Sequence, residues 1–134
     1  MKKLLSRIAF VLALIPVLFS FACVQTPRVI VESDTYVVIN VVDNVKENTT
    51  LAEYMVLLDN DIFAIEDGMV VSINGIENAA DYSSCWMLYT TDEENSTTAW
   101  SVEYNGKIYG SANWGAESLK VKKGESYIWY YQTF

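Results

Sequence analysis

The chain has no histidine among its 134 residues. That removes the commonest general base, and with it the Ser-His-Asp and Cys-His arrangements of nucleophilic catalysis. Cysteine is nearly as scarce, present only as Cys23 and Cys85. No CxxC pair, HExxH pattern or Gly-rich phosphate loop occurs, and no Lys, Arg or His stands close to Cys85 in sequence to activate it. No catalytic residue and no cofactor is expected. Positive charge is also short, with 9 Lys and Arg against 17 Asp and Glu, a formal balance of −8. An acidic surface repels phosphate backbones, which argues against nucleic acid as a partner. Asp59-Asn60-Asp61 and Asp92-Glu93-Glu94-Asn95 offer the hard oxygens that Ca²⁺ takes. Neither has the glycine and final glutamate of an EF-hand loop, so a helix end and a solvated acidic loop are the expectation, and no metal.

What the chain does have begins at its start. Lys2, Lys3 and Arg7 precede an apolar run from Ile8 to Ala22, and Ser20-Phe21-Ala22 leads into Cys23. A positive segment, an apolar core and small residues at a cut make an export signal over 1–22. The run is too short for a membrane span, which needs about 20 apolar residues, and Pro16 breaks it. Two cuts fit. Ser20 and Ala22 suit ordinary signal peptidase, whereas Cys23 at the first mature position resembles a bacterial lipobox and would carry a lipid. The lipid-anchored form is preferred; in the other, a Cys23–Cys85 disulfide becomes open in an oxidising compartment. Either way the expected location is outside the cytoplasm, with residues 23–34 as lipidated Cys and tether. Removing 1–22 leaves six basic residues against seventeen acidic ones.

The remainder is long enough for one domain, expected over 35–134. Thr35 to Asp43 is β-branched and apolar, a strand. Thr50-Leu51-Ala52-Glu53 is a capping box opening a helix whose Leu51, Tyr54, Met55 and Leu58 fall at helical spacing. Strands follow at 69–73, closed by Asn74-Gly75, and at 86–91, with 92–98 a polar loop. A hairpin is predicted over 100–109 around Asn105-Gly106, whose residues accept the positive φ of a type I′ turn. A last strand pair, 119–121 and 127–132, flanks a turn at 122–125. One short helix on a mixed, mostly antiparallel sheet is an α+β fold.

This order of parts resembles the C-terminal, β-grasp-like domain of transcobalamin and intrinsic factor, shared by a bacterial family of secreted proteins and lipoproteins. The likeness is carried by 50–55 (TLAEYM), 68–75 (GMVVSING), 85–89 (CWMLY) and 121–131 (VKKGESYIWYY). After its Trp-Met-x-Tyr strand the family usually has Val-Asn-Gly, where this chain has Thr90-Thr91-Asp92. The resemblance implies a single β-grasp-like domain and a non-catalytic, extracytoplasmic binding role. The vitamin carriers cover cobalamin with a second, helical domain, so cobalamin binding does not follow from the fold.

The aromatics are the best functional lead. Twelve of the eighteen lie between Tyr82 and Phe134, including all four Trp. Strand alternation places Trp129 and Tyr131 on one face and Ile128 and Tyr130 on the other, so one helix cannot cover everything. Exposed aromatics on a sheet make a platform for a flat ligand or a sugar. The loop 109–115 presents Trp114 among small residues, and bulk in a loop is more often contact than core. Trp86, Tyr89, Trp114 and Trp129 are the expected ligand contacts. The expected function is capture of a small ligand such as a corrinoid at the membrane surface. A protein–protein or adhesion domain at the cell surface is the second reading.

Overall fold

The computed structural model describes residues 26–58 and 61–134. The expected signal at 1–22 and the lipidation site Cys23 lie outside the described residues, as does most of Asp59-Asn60-Asp61. Two sheets and one α-helix make up the described chain. The larger sheet contains β1 (Val29–Val31), β2 (Tyr36–Asn40), β6 (Ser84–Thr90), β7 (Ser96–Tyr104), β8 (Lys107–Ala112) and β9 (Ser126–Thr133). Its spatial order is β1-β2-β9-β6-β8-β7. The smaller sheet is β3 (Phe63–Glu66), β4 (Met69–Ile73) and β5 (Ile76–Glu77). Every pairing between these strands is antiparallel, so the sheet expected to be mixed is antiparallel throughout its described strands. The α+β layout of one short helix with a mostly antiparallel sheet stands.

The helix α1 (Leu51–Leu58) starts where its capping box predicts. The Thr50 hydroxyl oxygen accepts the Glu53 N–H at 3.3 Å, and the hydroxyl donates to the Glu53 carboxylate at 3.1 Å. Leu51, Tyr54 and Met55 are buried and Leu58 packs against them. They lie on Val37, Ile39, Tyr127 and Trp129 of the large sheet and on Phe63, Val70 and Ile73 of the small one, in one core. Both turns of the small sheet are left-handed at two successive residues: Asp67 and Gly68 at φ 50° and 78°, Asn74 and Gly75 at 52° and 78°. That is the type I′ requirement. The Asp67-Gly68 pair, which makes β3 a hairpin partner of β4, went unread in the sequence.

Three further expectations change. Residues 119–121 form no strand with β9, because β2 and β6 already occupy both of its edges. Instead Leu119 O accepts the Leu51 N–H at 2.8 Å and Thr49 O accepts the Val121 N–H at 2.9 Å, pinning this segment to the helix start. The sheet also begins before residue 35, since β1 falls in the expected tether and pairs along β2. A fork of hydrogen bonds from Arg28 to Asp43, at 2.6 and 2.8 Å, ties it down. Finally, the expected polar loop at 92–98 is a 3₁₀ turn, Glu93–Asn95, followed directly by β7.

The second face of the large sheet is not an open platform. The hairpin β7–β8 pairs with β6 only at Tyr89↔Ser111 and Thr90↔Gly110, and β7 carries a register shift between Thr97 and Ser101. Gly110 allows the close approach there, since a Cβ on it would stand 2.9 Å from Thr97 O. Bulges bend and twist a strand. The hairpin tip reaches the far side of the sheet: the Tyr104 ring lies 6.0 Å from Tyr36, and its hydroxyl donates to Glu32. Tyr36 in turn stacks on Tyr130 at 4.8 Å. Val38, Tyr89, Tyr109 and Ile128 are buried beneath in a second core.

Met55 is fully buried at the helix–sheet contact while Leu57, two residues on, is 79% exposed. Met55→Ala is expected to destabilise by about 2–5 kcal/mol and Leu57→Ala by less than about 0.5 kcal/mol. Urea unfolding of the two variants checks the helix register; equal losses would reject it.

Candidate functional site

The four expected contact residues do not form one site. Trp86 on β6 and Trp129 on β9 share the face under the helix, because Trp86 pairs with Tyr131 and Leu88 with Trp129. Tyr89 lies on the opposite face, buried in the second core, where its hydroxyl donates to Gln132 Oε1 at 2.9 Å. It is 4% exposed and stands on the face away from Trp86 and Trp129. Trp114 is 58% exposed and lines a separate depression beside Ser118, Lys120 and Lys122.

Trp86 and Trp129 meet in a cleft of about 230 Å³ between β4, the β6–β9 pair and the turn after β8. Its lip carries Met69 and Tyr82, 59% and 64% exposed, apolar groups left without cover. Across from them run Gly115, Ala116 and Glu117. Gly68 is left-handed and bare, and the Glu117 side chain lies against it: a Cβ on Gly68 would stand 2.0 Å from Glu117 Oε2. Asn78 holds the two sheets at this point. Its amide donates to Val70 O at 3.0 Å, and its carbonyl accepts the Trp86 N–H at 2.9 Å. The Tyr131 hydroxyl adds a bond to Glu77 O at 2.9 Å.

The two indoles differ in one respect. Trp86 Nε1 donates to Ile76 O at 2.8 Å. Trp129 Nε1 is buried and has no hydrogen-bond partner, the one such side-chain atom among the described residues. Leaving a buried donor unmet costs about 1–3 kcal/mol, so its persistence asks for an explanation. Met69, Tyr82 and Asn78 escaped the sequence reading. Met69 reads there as one more strand residue, and Tyr82 sits in an irregular stretch with no periodicity to orient it.

Elsewhere the acidic cluster at 92–95 has structural employment. Asp92 is 2% exposed and caps the 3₁₀ turn, accepting from Glu94 N at 3.2 Å and Asn95 Nδ2 at 2.8 Å. Lys122 Nζ reaches Asp92 at 3.1 Å and Glu94 at 2.8 Å. No group of three or more Cys, Asp or Glu with metal-binding geometry occurs among the described residues. The Cys85 thiol, half-buried, lies 3.7 Å from Met87 Sδ and is in no disulfide among those residues. No helix among them is long and apolar enough to cross a membrane. No protein-family model matches this chain, and neither a curated protein nor a solved structure does.

Burial raises the Asp92 pKa, but the bonds from Asn95, Lys122 and the Glu94 N–H outweigh it and hold the carboxyl below its ordinary value. A lowered folded-state pKa stabilises above the unfolded value, and that stability is lost as pH falls through the folded one. Asp92→Asn is therefore expected to cost about 1–3 kcal/mol at pH 7, with the gap to wild type closing as pH falls through the lowered folded-state pKa. Urea midpoints across pH 2–7 check this; a gap independent of pH would reject it.

Proposed function

We propose that the protein is a non-catalytic binding module, displayed outside the cytoplasm on a lipid at Cys23, that grips a ring-sized apolar group in the cleft over Trp86 and Trp129. The single observation carrying the reading is a cleft with two tryptophans in its wall whose apolar lip, Met69 and Tyr82, is uncovered. A ligand whose apolar body covers Met69 and Tyr82 removes that exposed area from water. The helix across an antiparallel sheet, with the motif order at 50–55, 68–75, 85–89 and 121–131, favours a β-grasp-like domain of the transcobalamin C-terminal kind. Within that reading a corrinoid remains the named candidate. The cleft, at about 230 Å³, is smaller than the roughly 300–1,000 Å³ of typical small-molecule pockets. A corrinoid would therefore rest its ring on the lip and enter the cleft only with a side group.

The second reading, contact with a surface protein, is favoured by a different observation. Trp100 and Ile108 on the β7–β8 hairpin are 68% and 66% exposed, and β7 pairs on one edge only.

Titration of Trp fluorescence in the full chain with cobalamin, cobinamide and small aromatic amides tests the first reading. Saturable quenching is expected, weakened about fivefold in Trp129→Phe, which replaces the two-ring indole in the cleft wall by a smaller phenyl ring. The same variant is expected to lose less stability than Trp86→Phe, whose N–H holds Ile76 O. Binding unaffected by Trp129→Phe and abolished by Trp100→Ala would move the function to the hairpin.

A further inference from the structure

We infer that the domain rests on the bilayer through its basic end, the surface around Thr26, Arg28 and Lys123, with anionic lipid headgroups as the partner; the inference rests on Cys23 carrying the lipid. Cys23 and Thr26 are three peptide steps apart, so covalent geometry keeps their Cα atoms within about 11 Å of each other. Residues 26–28 are fastened to the end of β2. Pro27 O accepts from Asn40 Nδ2 at 3.0 Å, and Arg28 O accepts the Asn40 N–H at 2.8 Å. A lipid on Cys23 therefore holds this end of the sheet at the headgroup layer and leaves little chain for the domain to swing on.

The charges are sorted to match. Four of the six basic residues after position 24 gather at this end. Lys107 and Lys123 border the depression that contains Thr26, and Arg28 and Lys46 border the next. Lys123 Nζ links the two, donating to Asn44 Oδ1 at 3.2 Å. Lys46, Lys107 and Lys123 are exposed and form no ion pair among the described residues. Arg28 is matched by Asp43, and Glu47 and Glu125 are the other carboxylates beside these cations. The rest of the chain after position 24 has fourteen acidic residues and two lysines. Anionic headgroups attract Lys and Arg close to the surface and repel carboxylates, so this is the end that faces them. Exposed Val42 and Leu57 stand beside the lysines in the two depressions, and apolar side chains so placed enter the headgroup boundary. The binding cleft is carried toward the opposite end. Ser126 of β9 pairs with Asn40, whereas Tyr131 pairs with Trp86, about 17 Å farther along the strand. Docked by its basic end, the domain holds Trp86 away from the bilayer.

The test expresses the full chain in a bacterial host that exports and acylates lipoproteins, and places the purified protein in nanodiscs. Mass spectrometry first reads the diacylglyceryl group on Cys23. Backbone amide NMR is then recorded in discs of phosphatidylcholine with roughly one-third phosphatidylglycerol, carrying a trace of lipid with a gadolinium-chelate headgroup. Broadening is expected at Val42, Asn44, Lys46, Lys107 and Lys123, with Ser83, Cys85 and Trp86 left sharp. Lys46→Gln, Lys107→Gln and Lys123→Gln are each expected to lower the ratio of docked to undocked domain about fivefold. Phosphatidylcholine alone, or high salt, is expected to shrink the contrast between the two sets of amides. A contrast unchanged in phosphatidylcholine alone and in the triple variant would come from the tether; it would overturn the headgroup inference and leave the lipid anchor standing. Broadening centred on Ser83 and Trp86 would overturn it too. A Cys23 without its lipid would end the anchor reading and this inference together, while cleft binding is read separately by the Trp titration.

Discussion

The rest of the structure depends on β9 being apolar and aromatic on both faces. It is the inner strand between β2 and β6. Tyr127, Trp129 and Tyr131 face the helix side, while Ile128 and Tyr130 face the other. A strand of this kind cannot leave either face in water, so it demands two covers, and one eight-residue helix supplies only part of one. The small sheet β3–β5 completes the first cover. The β7–β8 hairpin, bent at its bulge and drawn in by the Tyr104–Glu32 bond, supplies the second. Tyr104 is held protonated by that bond, which pushes its pKa up to about 12.

The cleft is a consequence of how the first cover is assembled. A single long helix would seal Trp86 and Trp129 completely. Here the seal is shared among α1, β4 and the 115–119 turn, which pack in one core and are tied by a few directional bonds. Ala116 O accepts from Ala52 N at 2.9 Å, and Asn78 bridges β4 to β6. Where the pieces meet imperfectly a gap remains, and aromatic side chains line it because the same residues are needed to fill the core beside it.

Legibility in the sequence follows the range of the interaction. The helix, its cap and the Asn74-Gly75 and Asn105-Gly106 turns are written in residues three or fewer apart, and the structure has them where the residues say. The Asp67-Gly68 turn obeys the same local code and could have been read. The partner of 119–121 could not, because both edges of β9 are equally suitable and only the register of β2 and β6 excludes it. Nor could the fate of Tyr89 be read. Alternation does put it on the face opposite Trp86, but the hairpin that buries that face arrives from 20 residues later along a bulged path. Met69 and Tyr82, unremarkable in sequence, gain their meaning from Trp129, which belongs to a strand some 50 residues away.

Trp86 and Trp129 form a comparison internal to the molecule. Both indoles are buried to within 6%, both border the same cleft, and both come from neighbouring strands of one sheet. The fold finds a carbonyl for one at 2.8 Å and none for the other. Phe at 129 would bring no donor to satisfy, avoiding a penalty of about 1–3 kcal/mol, but would fill less of the core. A buried indole N–H that the fold does not use belongs to a residue that also borders an uncovered apolar lip. A ligand that covers the lip gains from the apolar area it buries, and the proposed binding role is therefore placed at this cleft rather than at the exposed Trp114 or Trp100, whose polar atoms water already satisfies.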